Sequence, residues 1–480
     1  MKISNRIVPF SRLADLVITA VFIPVLTGAF SMAAQAAPAS QELVQRGSYL
    51  AQAGDCMACH TVREGKPFTG GVPFDLLVGR VYSTNITPDL ETGIGRYSTD
   101  DFEKAMREGV AKDGHYLYPA MPYTSYARVS QEDLSALYAY FMQGMEPVHT
   151  PNRQAELNWP LGVRSLMAAW NALYFKKGEY VSDPVKNASW NRGAYFVQGL
   201  GHCGACHTPR GAIGEEKASS EQDGSQYLAG ATLDNWYASP LTGDTGTGLW
   251  AWSKDEIVEY LKTGRTARVA ASGVMTEVVG KSTQYLTDQD LMAIAEYLKS
   301  LPPSNIEGQG NADDMAIQAG DPSEATRALR AGDTGMRGSG VYLDNCNACH
   351  RSDGSGANRI FPNLVKNEAV NADDPISLIH IVLAGSSMPS THAAPSAIAM
   401  PDFGWRLNDE EVAQVISFVR ASWGNRAAAV SRDEVGRVRK ALASQGFEVQ
   451  SSELFFCGIV QCLTLRKSAP APTPAKSGPS

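Results

Sequence analysis

Apolar residues recur at helical spacing in three stretches far apart in the chain: Leu134, Leu137, Ala139 and Phe141; Leu291, Ile294 and Leu298; Val412, Val415 and Val419. Such spacing puts each set on one face of a helix. Ser130, Thr287 and Asn408 stand ahead of them, residue types whose side chains accept a backbone N–H at a helix start. A shorter helix precedes each of these. The first runs from Ser98 to Gly109, with Ser98 and Asp101 spaced as a capping box. The second runs from Ser253 to Gly264, with Ser253 and Glu256 in the same relation, and the third from about Asp374-Pro375 to Gly385. Earlier still, each set has a helix with a glycine and an aromatic: Gly47 and Tyr49, Gly193 and Tyr195, Gly340 and Tyr342. The pattern predicts one all-α unit repeated three times and joined by linkers.

Between the first and second helices of each set lies the same five-residue pattern: Cys56-Met57-Ala58-Cys59-His60, Cys203-Gly204-Ala205-Cys206-His207 and Cys346-Asn347-Ala348-Cys349-His350. C-x-x-C-H is the attachment signal for haem c. Residues i, i+3 and i+4 share one face of a helical turn. Two thiols can then bind one haem covalently while the imidazole reaches its iron. A lone C-x-x-C also suits a redox dithiol or half of a zinc site. Three copies, each followed by His, favour three haems c over both.

A haem that only carries electrons needs a sixth ligand, and a Met thioether opposite His raises the potential. Met121, in Tyr118-Pro119-Ala120-Met121-Pro122, and Met275, after Gly273-Val274, lie in the loop ahead of the last helix of their sets. The third set offers Met388-Pro389 and Met400-Pro401. Met121, Met275 and Met400 each stand a short distance before a helix cap, whereas Met388 stands much farther away, so the repeat selects Met400. The expected iron ligands are therefore His60 with Met121, His207 with Met275 and His350 with Met400. Each proximal His also needs an acceptor for its other nitrogen. Pro240-Leu241 and Pro362-Asn363-Leu364 are placed for the second and third, and Asn85-Ile86-Thr87-Pro88 for the first. His115, His149, His202, His380 and His392 are left as surface or haem-edge contacts.

The chain of 480 residues is 44% hydrophobic and 19% charged, with a formal charge of −8 and no basic stripe, which argues against nucleic acid as a partner. Lys2, Arg6 and Arg12, the apolar run from Leu16 to Phe30 and Ala34-Gln35-Ala36 together read as a signal peptide. The expected organisation is a signal peptide (1–36), three small class I-like cytochrome c-type domains (37–145, 182–303 and 335–426), two linkers (146–181 and 304–334) and a C-terminal extension (427–480). The first linker carries Leu166, Met167, Trp170, Leu173 and Phe175 at helical spacing, either packed between domains or presented for docking to a partner or a membrane surface. Cys457 and Cys462 lie in the apolar run Leu454 to Leu465, which is too short to span a bilayer and suits a membrane contact or a buried strand. In an oxidising compartment this pair is placed to form a disulfide. The last dozen residues, rich in Pro, Ala, Ser and Lys, read as disordered. No dinucleotide fingerprint, phosphate loop or catalytic triad is recognisable, so no catalytic residue is assigned.

Several segments make the chain similar to the three-haem cytochrome c subunits of bacterial membrane-bound dehydrogenases, the gluconate 2-dehydrogenase and quinoprotein alcohol dehydrogenase type. They are Tyr82-Ser83-Thr84-Asn85-Ile86-Thr87-Pro88-Asp89, Leu117-Tyr118-Pro119-Ala120-Met121-Pro122-Tyr123, Gly199-Leu200-Gly201-His202 running into the second motif, Ser282-Thr283-Gln284-Tyr285, Met400-Pro401-Asp402-Phe403-Gly404-Trp405-Arg406-Leu407 and Ser422-Trp423-Gly424-Asn425. The resemblance reaches to about Arg439. It implies a partner catalytic subunit using flavin or pyrroloquinoline quinone, with or without a small third subunit. It further implies delivery of electrons to ubiquinone from a position on the periplasmic face of the inner membrane, peripherally attached. Gly404-Trp405-Arg406-Leu407 and Gly199-Leu200-Gly201-His202 look closer to the gluconate branch than to the alcohol branch. Two competing readings are a free periplasmic or oxidase-linked multihaem carrier and a haem enzyme with an open iron.

Overall fold

The computed structural model describes residues 39–160, 162–304 and 324–444. The signal peptide, Cys457, Cys462 and the apolar run around them lie outside the described residues. The anticipated helices form, and the same order recurs three times. Opening helices span Gln41–Ala53, Ala188–Gln198 and Ser339–Asn345. Motif helices span Cys56–His60, Gly204–His207 and Asn347–His350. Middle helices span Thr99–Glu108, Lys254–Thr263 and Ile376–Ala384, and last helices Gln131–Gln143, Asp288–Lys299 and Asp409–Ala421. Ser98 and Ser253 close reciprocal capping boxes with Asp101 and Glu256. Gly109 and Gly264 end those helices in the left-handed region, at φ 63° and 71°, where any Cβ is strained. Ser130, Thr287 and Asn408 cap the last helices through their side-chain oxygens.

Opening and last helices cross at a glycine. A Cβ on Gly47 would stand 1.9 Å from the Ala136 carbonyl oxygen, and one on Gly193 would stand 2.0 Å from that of Ala293. In the third repeat the crossing residue is Gly338, 2.2 Å from the Gln414 oxygen by the same measure, and not Gly340, which meets nothing nearer than 3.6 Å. The shorter opening helix there starts at Ser339, so the crossing falls on its cap. Gly193→Ala gains roughly 1 kcal/mol of helix propensity. Forcing the two backbones apart costs about 1–3 kcal/mol. The expected net is a lower denaturant midpoint for the holoprotein, and a raised midpoint would refute the tight crossing.

The expectation of an all-α chain omitted three small antiparallel sheets. Pro73–Leu76, Gly79–Tyr82 and Glu156–Leu157 form one, Ala231–Leu233 with Trp236–Ala238 a second, and Ser386–Ser387 with Ala399–Met400 a third. Strands this short carry too few residues for alternation to register. Two further helices lie in segments read as linker and extension. Glu324–Arg330 buries Ala325 and Leu329, and Arg432–Ser444 lays Val435, Val438 and Leu442 into the core of the third repeat.

The first and second repeats share one continuous apolar core that includes Leu50, Leu134, Phe196 and Leu291, while the third has its own. The shared core is closed by a reciprocal lock. Tyr195 donates to Asp133 at 2.6 Å and accepts from the Ser130 N–H, while Tyr49 donates to Asp290 and accepts from the Thr287 N–H. Arg46 pairs with Asp133, and Arg192 with Asp290. Burial raises the Asp290 pKa, but the hydrogen bonds from Arg192 and Tyr49 outweigh it and leave the carboxyl below its usual range. The lock was legible in principle: both opening helices carry Arg-x-x-Tyr, and both last helices carry Asp three residues after the cap. The third repeat has Glu411 there instead, closed on its own cap at Asn408.

Candidate haem-binding sites

Each C-x-x-C-H motif folds as a single helical turn, which sets its two cysteines and its histidine on one side. The six cysteines form no disulfide. Burial pushes the thiols of Cys56, Cys59, Cys203 and Cys346 up to about 12 and raises that of Cys206. A redox-active dithiol needs the opposite shift.

The three histidines are held alike. His60 Nδ1 lies 2.7 Å from the Thr84 carbonyl oxygen, His207 Nδ1 2.6 Å from that of Ser239, and His350 Nδ1 3.0 Å from that of Pro362. A carbonyl can only accept, so Nδ1 carries the proton and Nε2 keeps a free lone pair. Burial lowers the pKa of all three imidazoles, more than the carbonyl contacts raise it. A fixed, neutral imidazole with Nε2 open is the form that ligates iron. The third acceptor is the proline singled out in the sequence. The first two precede the expected segments by one residue, at Thr84 and Ser239.

The third site shows its cavity directly. A space of about 230 Å³ is lined by Cys346, Cys349, His350, Pro362, Met388 and Met400. Ile416 and Phe403 add to its apolar walls. Two thiols, an imidazole and a thioether around an apolar cavity fit haem c. Met388 is buried, and Met400 pairs by its backbone with Ser386, so both candidate thioethers border one cavity. Part of the wall comes from elsewhere: Val269, Ala270, Ala271 and Ser272 of the second repeat line it too. Sequence reasoning missed this wall. Three residues on stands Met275, half-buried at the start of the helix Val274–Lys281. Met121 is half-buried against the shared core, between Tyr118 and Tyr123.

The other histidines sit apart from these roles. His115 and His149 face Asp113 and Asp89 near the surface. His392 lies edge-on to Tyr285. His380 stacks on Trp236 at 3.9 Å, joining the second and third repeats. His202, just before Cys203, lies edge-on to Tyr126 of the first repeat at 5.7 Å, and Tyr126 in turn donates to the Gly54 carbonyl. The C-x-x-C-H turns of the first two repeats are therefore linked through one aromatic pair. On the other side, Arg265 donates to the Ala394 and Ser396 carbonyls of the third repeat, at 3.0 and 2.6 Å.

The family model for cytochrome c matches residues 192–302 and 335–423. A gluconate 2-dehydrogenase cytochrome c subunit from Pantoea cypripedii is 48% identical over 411 residues, covering 84% of this chain and 90% of that protein. An alcohol dehydrogenase (quinone) cytochrome c subunit from Gluconobacter oxydans is 44% identical, over 87% of each chain. A fructose dehydrogenase cytochrome subunit from Gluconobacter japonicus is 39% identical, over 84% of each.

Proposed function

Because the chain belongs to the family of cytochrome c subunits of dehydrogenases, we propose that it holds three haems c and relays electrons from a dehydrogenase subunit to ubiquinone. Electron transfer is its role, as a non-catalytic subunit of an oxidoreductase complex. Cys56 and Cys59, Cys203 and Cys206, and Cys346 and Cys349 bind the haems, and His60, His207 and His350 each offer Nε2 to an iron. Met121, Met275 and Met400 complete the ligand sets. The observation that carries this reading is the threefold recurrence of one site, each imidazole fixed by a backbone carbonyl at 2.6–3.0 Å.

A haem c supplies one-electron carriage at a potential set by its axial ligands. The protein excludes water, fixes the imidazoles and joins the sites through shared packing. The partner carries flavin or pyrroloquinoline quinone and oxidises a CH–OH group, with gluconate-type chemistry first and alcohol second. That order rests on the identities above. In this reading the chain is exported and peripherally attached at the periplasmic face of the inner membrane. Among the described residues, no helix is long and apolar enough to cross a membrane.

The test is mass spectrometry of the mature protein with haem reduction by substrate. The expected mass carries three haems on a chain starting near Ala37. The isolated chain oxidises no gluconate, alcohol or sugar, and with its dehydrogenase all three haems reduce when substrate is added. A mass that fits two haems, or oxidation by the isolated chain, refutes the reading.

A further inference from the structure

The helix Leu166–Tyr174 contains no charged residue and buries only Met167. Met167 packs into a small cluster with Val81 and Tyr118. The helix rests on the loop that carries Met121: Tyr118 donates to the Gly162 carbonyl at 3.0 Å, Tyr123 donates to Asn171 at 2.7 Å, and Arg164 donates to the Tyr116 carbonyl at 2.9 Å. Its other side is open. Leu166 is 51% exposed and Leu173 is 73% exposed, two turns apart on one face. Val163 lies one turn ahead of Leu166 and is also exposed. The Asn158 N–H donates to the Val78 carbonyl, which brings Trp159, 88% exposed, beside the hairpin tip at Leu77, 66% exposed. Trp170 donates to the Ile213 carbonyl and so adds exposed Ile213 at the edge. These hydrogen bonds thus gather four segments carrying six exposed apolar side chains around the helix, a grouping that soluble proteins seldom leave uncovered.

The charge pattern says what covers it. From 158 to 178 the chain has no acidic residue and three basic ones, Arg164, Lys176 and Lys177, although the whole chain carries −8. Lys176 and Lys177 pair with Asp223 and Glu108, yet both side chains stay about two-thirds exposed. Asp75 and Glu156, which border this face, are engaged by Arg80 and Tyr82, and Glu215 accepts from the Ile213 N–H at its edge. An uncharged, apolar helix face with basic residues at its ends and an exposed Trp beside it matches the headgroup region of an anionic bilayer.

We propose that the face around Leu166–Tyr174 docks on the lipid surface, and that docking brings the first haem site to the bilayer. The Met121 loop lies directly under this helix, so the electron exit to a lipid-soluble quinone is on the first repeat. This deepens the reading above and rests on it for the first haem and the quinone.

The experiment uses the full-length holoprotein without a dehydrogenase and vesicles of phosphatidylethanolamine and phosphatidylglycerol. The native protein co-floats with the vesicles. Leu166→Glu with Leu173→Glu weakens binding by roughly tenfold or more. Trp159→Ser weakens it less, and Val185→Glu, exposed outside the face, leaves it unchanged. Unaltered haem spectra exclude misfolding, with Leu173→Gln as the milder variant. In membranes, the double variant then loses quinone reduction and keeps ferricyanide reduction. The proposal is overturned if native protein ignores these vesicles or the double variant binds like native. It is equally overturned if only removal of the residues after Ser444 releases the protein. Loss of the dehydrogenase subunit with vesicle binding intact would make the face a protein interface. The relay reading fails separately, by haems that stay oxidised with dehydrogenase and substrate in detergent, where no bilayer is present.

Discussion

Met400→Ala removes one of three low-spin His/Met signatures and lowers that haem's potential, while Met388→Ala leaves all three signatures in place. The expectation is sharp because both residues line the cavity that Cys346, Cys349 and His350 also line. Their settings differ. Met400 ends a two-residue strand paired to Ser386, a short loop before the cap at Asn408, as Met121 and Met275 precede Ser130 and Thr287. Met388 is buried, and its N–H donates to the Ile398 carbonyl. Axial ligands move haem potentials over a range of about 0.8 V, so loss of the thioether is expected to lower the potential by on the order of 100 mV or more. Met388→Ala costs about 2–5 kcal/mol of stability if it is core filling, with no change in spectrum. Magnetic circular dichroism with a redox titration of each variant decides. The converse result, signature lost in Met388→Ala and kept in Met400→Ala, reverses the assignment.

What could be read in advance was local. Ser98, Ser253 and Asn408 announce their helices because a capping box needs only four consecutive residues, and the haem motif only five. His350 and its acceptor Pro362 are 12 residues apart and were legible together. Thr84 and Ser239 are 24 and 32 residues from their histidines, and nothing in their side chains marks a carbonyl as an acceptor. The third crossing glycine was not legible for a related reason. Tyr342 fixed the register, and Gly340 stands two residues before it just as Gly47 precedes Tyr49, but the contact belongs to Gly338. Packing between repeats was least legible. Tyr49 and Asp290 are 241 residues apart, and only a comparison of the two Arg-x-x-Tyr helices with the two last helices could have paired them. The linker helix was legible as a helix, and its two sides differ: Met167 packs inward on Val81 and Tyr118, while Leu166 and Leu173 face out.

Met275→Ala is expected to interrupt the relay as a whole, although it touches one site. The second repeat is bonded to both others. It reaches the first through the Tyr49–Asp290 and Tyr195–Asp133 pairs and the His202–Tyr126 contact. It reaches the third through Arg265, the Trp236–His380 stack and the wall segment Val269–Ser272 inside the third cavity. Met275 follows that wall by three residues, so the chain that covers the third site runs straight to the proposed ligand of the second. Removing the thioether lowers the potential of the middle site. For a one-electron couple, each fall of about 59 mV makes its reduced form roughly tenfold rarer. With dehydrogenase and substrate in rapid-mixing experiments, one neighbouring haem is expected to reduce at its native rate and the other to lag by at least about tenfold. Quinone reduction falls by the same factor. Membranes from a strain lacking the whole chain set the lower limit, with substrate respiration lost. If both neighbouring haems of the Met275→Ala protein reduce at native rates, electrons bypass the second site, and the contacts between repeats serve only to hold the fold.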